Sequence, residues 1–171
     1  MVTDSKNIVQ STAGEPSLMD KVINSKSFKI TLADDDEDDY DFFSEAIHSF
    51  VPHVTISRAF DGADLISQLE AAPGKLPDLI FLDLNMPCRN GFECLSVLKS
   101  VEHWKSIPVI IYSTSAFADQ VDTTYKIGAN LYVQKPGDFG DIKKTVEKIF
   151  SINLHSLLRQ PAKENFFLTL K

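Results

Sequence analysis

Residues 79–87 read LIFLDLNMP. Leu79 to Leu82 form an uninterrupted apolar run, the signature of a short strand buried on both faces rather than one shared between core and water. The run stops at Asp83, and a loop follows through Met86-Pro87 to Gly91. Strands of this kind belong to parallel sheets covered by helices on both sides, so strand and helix should alternate to either side of it.

They do. Upstream, Phe28 to Ala33 reads as a strand, and Asp36 is placed to cap a helix that carries Tyr40, Phe43, Ile47 and Phe50 on one face. Pro52 ends that helix. Val54, Ile56 and Phe60 alternate with polar residues, as on an edge strand, and Asp61-Gly62 turns into a short helix with Leu65, Ile66 and Leu69. Downstream of the loop, Cys94, Val97, Leu98 and Val101 recur at helical spacing. Pro108 precedes a second buried strand, Val109 to Tyr112. A helix from Phe117 places Phe117, Val121 and Tyr125 on a core stripe, with Gly128 suited to its C-terminal cap. Leu131 to Val133 is a fifth strand ending at Lys135-Pro136, and a last helix carries Ile142, Val146, Ile149 and Phe150. Five strands and five helices in alternation predict an α/β fold: a flavodoxin-like, doubly wound (βα)5 sandwich with a parallel five-stranded sheet in the order 2-1-3-4-5.

Composition narrows the class. Apolar residues make up 43% and charged residues 24% of the 171, an ordinary globular balance. No apolar run approaches the roughly 18 residues of a membrane helix, and the N-terminus lacks the basic-then-apolar pattern of a secretory signal. Cys88 and Cys94 make neither a disulfide framework nor a zinc site, so a reducing, cytoplasmic location is expected. Cys88, in the loop after Asp83, has no low-pKa surroundings from which a redox role can be argued. His48, His53, His103 and His155 are scattered and read as surface or boundary residues. The net charge of −7 sits in one place: residues 34–41 hold seven acids, the whole excess of 24 acids over 17 Lys and Arg. No basic face for nucleic acid remains. Glu37 to Asp41 reads as a solvated helix face. Asp34 and Asp35, directly after a strand, read as site residues.

Ligands of doubly wound sheets bind at the carboxyl ends of the strands, near the point where strand order reverses. Those ends carry Asp34-Asp35, Asp83, Ser113 and Lys135. Three converging carboxylates repel one another, and a hard divalent cation such as Mg2+ resolves the conflict. A lysine ammonium and a serine hydroxyl supply donors for an anionic group. A carboxylate nucleophile, a metal site and oxyanion donors are what phosphoryl transfer to an aspartate requires, since that chemistry is mostly positioning and charge neutralisation.

These segments carry a resemblance. ITLADDDEDD (30–39), DLIFLDLNMPCRNGFECL (78–95), IPVIIYSTSA (107–116) and GANLYVQKP (128–136) together resemble the receiver domain of two-component response regulators over residues 28–150. The resemblance implies that Asp83 is the phosphoacceptor and that Asp34 and Asp35 are the acidic pair that binds Mg2+. It implies that Asn85 gives its backbone carbonyl to the metal. Ser113 takes the place of the switch hydroxyl, Tyr132 of the aromatic that changes rotamer, and Lys135 of the lysine that contacts the phosphoryl group. It also implies a cis peptide before Pro136. Three successive aspartates leave the pair as Asp34/Asp35 or Asp35/Asp36; use of Asp36 as a helix cap favours the first.

The implied function is that of a single-domain response regulator in a phosphorelay. It would take its phosphoryl group from a histidine kinase or histidine phosphotransfer protein and present a switched surface to a downstream protein target, with only slow self-catalysed transfer and hydrolysis. A Mg2+-dependent phosphohydrolase with an aspartate nucleophile is the first alternative, but it needs a proton-transferring aspartate where this chain has Asn85. A degenerate receiver used as scaffold is the second, and the retained site residues argue against it. By domain, residues 1–26 read as a flexible tail with a short helix around Leu18 to Ile23, residues 27–151 as the receiver domain, and residues 152–171 as a C-terminal extension. About 20 residues after the last helix are too few for an output domain. With Ile152, Leu154, Leu157, Leu158, Phe166, Phe167, Leu168 and Leu170, that extension is too apolar to be solvated. It is expected to dock on its own domain or, as the alternative, on a second subunit in a homodimer.

Overall fold

Strand β1 (Lys29–Ala33) lies between β2 (Thr55–Ala59) and β3 (Leu79–Leu82), and both pairings are parallel. Strand β4 (Val109–Ser113) follows β3, and β5 (Leu131–Gln134) follows β4. The expected order, 2-1-3-4-5, is the order found, extended by a sixth strand discussed below. The computed structural model describes residues 17, 20, 22, 27–88, 90–152 and 157–169. His155, Leu154, Leu170 and most of residues 1–26 lie outside the described residues.

Burial follows the sequence pattern. β3 and β4 are buried along their whole length, whereas β2 at the rim alternates between exposed and half-buried positions. Helices α1 (Glu37–Phe50) and α5 (Phe139–Phe150) cover one face, where Phe43, Ile47, Ile142, Val146 and Ile149 pack on Ile30, Leu32 and Phe81. Helices α2 (Gly62–Ala71), α3 (Gly91–Ser100) and α4 (Ala118–Ile127) cover the other, with Leu65, Leu95 and Leu98 against Ile80, Leu82 and Ile111. Two cores therefore sandwich the sheet, as the doubly wound architecture requires.

The helices begin where the sequence supplies caps. Asp36 accepts hydrogen bonds from the Asp38 and Asp39 amides, and Asp61 from those of Ala63 and Asp64. Gly128 closes α4 with φ 115°, a conformation glycine adopts without steric penalty.

Several local expectations change. Phe117 is not core: it stands just before the first turn of α4 and is 67% exposed, while Val121 and Tyr125 are half-buried. Its backbone is extended at the cap position, so the side chain leaves the helical stripe before the stripe begins. The peptide before Pro136 is trans, as are all peptide bonds of the described residues. The trans form is intrinsically favoured by about 0.5–1 kcal/mol at X–Pro bonds. His48 is on the surface as expected, and its ring bonds Ser44 Oγ and the Val54 carbonyl. Within the N-terminal segment, Ser17 and Asp20 cap each other reciprocally, and Val22 is buried in the core beside α1.

The C-terminal extension returns to the sheet. Leu157 is buried beneath Asn130, whose side-chain amide donates to the Leu157 carbonyl at 2.8 Å. After a 3-10 turn, Lys163–Asn165, strand β6 (Phe167–Leu168) pairs in parallel with β5, Phe167 opposite Tyr132 and Leu168 opposite Val133. Phe166, just before it, is completely buried, but Phe167 is 37% exposed.

Candidate functional site

Register brings the site together. Ala33 pairs with both Ala59 and Leu82, so β1, β2 and β3 end level. The chain then holds the next residues in place through the backbone: the Asp34 amide donates to Ala59 O at 2.9 Å, and the Asp83 amide to Ala33 O at 3.0 Å. Asp34 and Asp83 thus stand side by side at the carboxyl edge. On the far side, the Lys135 amide donates to Ser113 O at 2.8 Å, which seats Lys135 one step beyond the end of β5.

From there the Lys135 side chain reaches back across the sheet. Its Nζ lies 2.7 Å from Asp34 Oδ2, 2.8 Å from Asp39 Oδ2 and 3.2 Å from Asp83 Oδ2. An ammonium has three protons, and here three carboxylates are within reach of them. Burial works against the charge on Lys135, but Asp83 and Asp34 outweigh it and hold its pKa above the usual lysine range. Asp34 shows the opposite balance. It is fully buried, and desolvation pushes its carboxyl up despite the compensating pull of Lys135 and of the Asp36 amide.

The Asp34, Asp35 and Asp83 carboxylates each place an oxygen within 4.8 Å of the other two. Asp36 is not among them, because its carboxylate is committed to the first turn of α1. With Asp39, the cluster holds four acids and one lysine. That excess of negative charge fits a divalent cation with oxygen ligands. Asn85 is exposed beside the cluster; its amide N–H donates to Asp83 Oδ1 at 3.2 Å and its side chain to Ser113 Oγ at 3.2 Å.

Ser113 is completely buried and lies 3.5 Å from Ser115 Oγ. The backbone of Ser115 leads to Tyr132, whose hydroxyl donates to Ser115 O at 2.7 Å. Tyr132 is fully buried in this inward position, and burial pushes its hydroxyl up to about 12. Phe166 and Phe167 of the extension wall its ring, at centroid distances of 6.3 and 5.7 Å. Every residue expected at the site from sequence is therefore near the carboxyl edge, with Tyr132 one serine removed.

Three residues escaped the sequence reading. Asp39, read as part of a solvated face, turns its carboxylate to Lys135. Its signal was positional: it lies in the first turn of a helix whose N-terminus meets the strand ends. Arg58, read only as a polar residue of an edge strand, bonds the acidic turn. Gly91 lies under the loop that follows β3, where a Cβ would stand 2.2 Å from Asp83 O. A glycine opening a helix just after a strand-end aspartate marks such close approach.

Comparison with known proteins bears on this geometry. Residues 30–147 match the response regulator receiver domain. The chain belongs to that family. Phosphorylation on an aspartate is the function of receiver domains, and they are not dedicated enzymes. Response regulator Rcp1 of Synechocystis sp. (strain ATCC 27184 / PCC 6803 / Kazusa) is 37% identical over 81 residues, 47% of this chain and 55% of that protein. The chain spans about half the length of the first curated relatives it matches, at 56% and 55%. Among solved structures, the phosphorylated cyanobacterial phytochrome response regulator RcpA is similar with a TM-score of 0.67 and 34% identity, covering 72% of this chain and 91% of that one. The Mn2+-bound form of Rcp1 is similar with a TM-score of 0.68 and 29% identity, covering 79% of this receiver chain and 99% of that one. No helix of the described residues is long and apolar enough to cross a membrane.

Proposed function

We propose that Asp83 is the phosphoacceptor of this receiver domain and that the chain acts as a cytoplasmic phosphorelay switch. The observation that carries the reading is the Lys135 ammonium, 3.2 Å from Asp83 Oδ2 and 2.7 Å from Asp34 Oδ2 at the carboxyl edge of the sheet. It provides one cationic donor at the acceptor carboxylate. The donor is a phosphohistidine on a histidine kinase or phosphotransfer protein. An Asp83 oxygen attacks phosphorus, the P–N bond breaks as the O–P bond forms, and the imidazole leaves. Mg2+, held by the Asp34, Asp35 and Asp83 carboxylates and the Asn85 carbonyl, supplies charge neutralisation for the phosphoryl oxygens when bound. Lys135 orients and neutralises a further phosphoryl oxygen, and Ser113 donates a hydrogen bond to another. The Asn85 amide is neither acid nor base at neutral pH and cannot shuttle a proton, so hydrolysis of the acyl phosphate is slow and self-catalysed rather than turned over as in a phosphohydrolase.

Ser113 then couples the acceptor to Tyr132 and to the surface of α4, β5 and α5, where a downstream protein reads the state. Coupling of this kind needs two arrangements that the phosphoryl group distinguishes. Labelling with acetyl phosphate or phosphoramidate in the presence of Mg2+ tests the assignment. Wild-type protein should take up one slowly decaying phosphoryl group, and Asp83→Asn should take up none while keeping its fold. Wild-type labelling in Asp83→Asn, or rapid turnover of a phosphate ester by the wild type, overturns it.

A further inference from the structure

Arg58 stands on β2, the rim strand, where an arginine would ordinarily extend into water. Instead its guanidinium turns over the end of β1. Nε donates to Asp34 O at 3.1 Å, and a terminal nitrogen donates to Asp35 O at 2.7 Å. Both bonds go to backbone carbonyls, although the surrounding turn is the most acidic stretch of the chain. The guanidinium lies 4.7 Å from the Phe60 ring centroid and 5.7 Å from that of Tyr40, so two aromatic rings flank it.

The frame behind it is also fixed. Gln68 of α2 donates to Arg58 O at 2.9 Å and to Asp64 Oδ2 at 3.0 Å, and Asp64 Oδ2 in turn accepts the Phe60 amide at 2.9 Å. Tyr40 is tied to the same strand through its hydroxyl, 3.3 Å from Ile56 O. A planar fork with two donors, flanked by rings and mounted on a braced strand, holds two consecutive carbonyls in a set direction. Fixing the carbonyls fixes the two peptides that flank Asp35, and with them the direction in which each carboxylate leaves the backbone.

We propose that Arg58 is a positioning residue for the cation site: it presents the Asp34 and Asp35 carboxylates through their backbone. The inference rests on the proposed function. Simple electrostatics makes the contrary prediction, because deleting a positive charge beside a cation site should tighten cation binding. The sign of the effect therefore separates the two roles.

The test is Mg2+ titration of the unphosphorylated protein by calorimetry, with thermal melts as a check on the fold. Loss of an outer-shell partner commonly weakens metal binding by roughly 10- to 100-fold. Arg58→Gln should fall near the lower end, about 10-fold, because the lost charge partly opposes the lost positioning. Arg58→Lys keeps the charge but lacks the fork, and it should also bind several-fold more weakly than wild type. Phe60→Ala keeps the fork and removes one flanking ring; it should show a smaller weakening and serves if Arg58→Gln melts abnormally. Unchanged or tighter binding in Arg58→Gln, or wild-type affinity in both Arg58→Lys and Phe60→Ala, overturns the inference and leaves the proposed function intact. A wild-type protein without saturable Mg2+ binding overturns both.

Discussion

Lys135 is where the chemistry of the site is most constrained at the level of single residues. Its contacts with Asp34 and Asp83 are shielded, but Asp39 is 37% exposed on its side chain and sits on the solvent side of the cluster. An arriving phosphoryl donor is an anion, and this partly exposed charge repels it. One unit charge at about 4 Å in water is worth about 1 kcal/mol, so Asp39→Asn should lower the acetyl phosphate concentration for half-maximal labelling by roughly 2- to 5-fold. Steady-state labelling rates check this, and an unchanged or higher half-saturation would show that Asp39 acts by geometry rather than charge. The capping role of Asp36 was legible in sequence because helix capping is local: Asp36 accepts from amides two and three residues on. Asp39 was not, because its partner lies 96 residues away and is reached only when α1 meets the end of β5. Arg58 was hidden for the same reason, 23 and 24 residues from the carbonyls it holds.

Among the elements, β1 to β5 and their helices could be read directly, since buried strands leave apolar runs and amphipathic helices leave a 3.6-residue period. Strand β6 could not, because two residues carry no period. Apolarity alone announced that the extension would be covered, and it overstated how much: Phe166 and Leu157 are buried, but Leu158 and Phe167 remain exposed. What seats the extension is more specific. Phe166 meets the Tyr125 ring at 5.0 Å, Tyr125 donates its hydroxyl to Pro161 O at 3.1 Å, and Lys163 pairs with Asp122 at 2.8 Å. The surface ion pair contributes little, whereas the buried ring contributes much. Phe166→Ala should lower the free energy of unfolding by about 3–5 kcal/mol, read from the urea midpoint. A loss below about 1 kcal/mol would mean that the extension is not part of the cooperative unit.

At the scale of the molecule, the charge excess and the site are one feature. Asp34 is ionised at a cost, since burial pushes its carboxyl up, and Asp35 and Asp83 add like charge within 4.8 Å. Asp34→Asn with Asp35→Asn should therefore raise the thermal midpoint in metal-free buffer, with Lys135 still held by Asp39 and Asp83. The same double variant should lose the stabilisation that Mg2+ confers on wild type, about 2.7 kcal/mol at a hundredfold excess over the dissociation constant. A metal-free variant less stable than wild type would assign these acids a structural role instead. A backbone hydrogen bond ties Tyr132 to the end of the fold. The Tyr132 amide donates to Phe166 O at 2.8 Å, whereas the Lys135 amide, also on the β5 side, donates inward to Ser113 O at 2.8 Å. Lifting β6 frees the first proton to exchange with solvent and leaves the second protected. The Tyr132 amide proton thus keeps time for the extension: its exchange rate counts how often the sixth strand lets go.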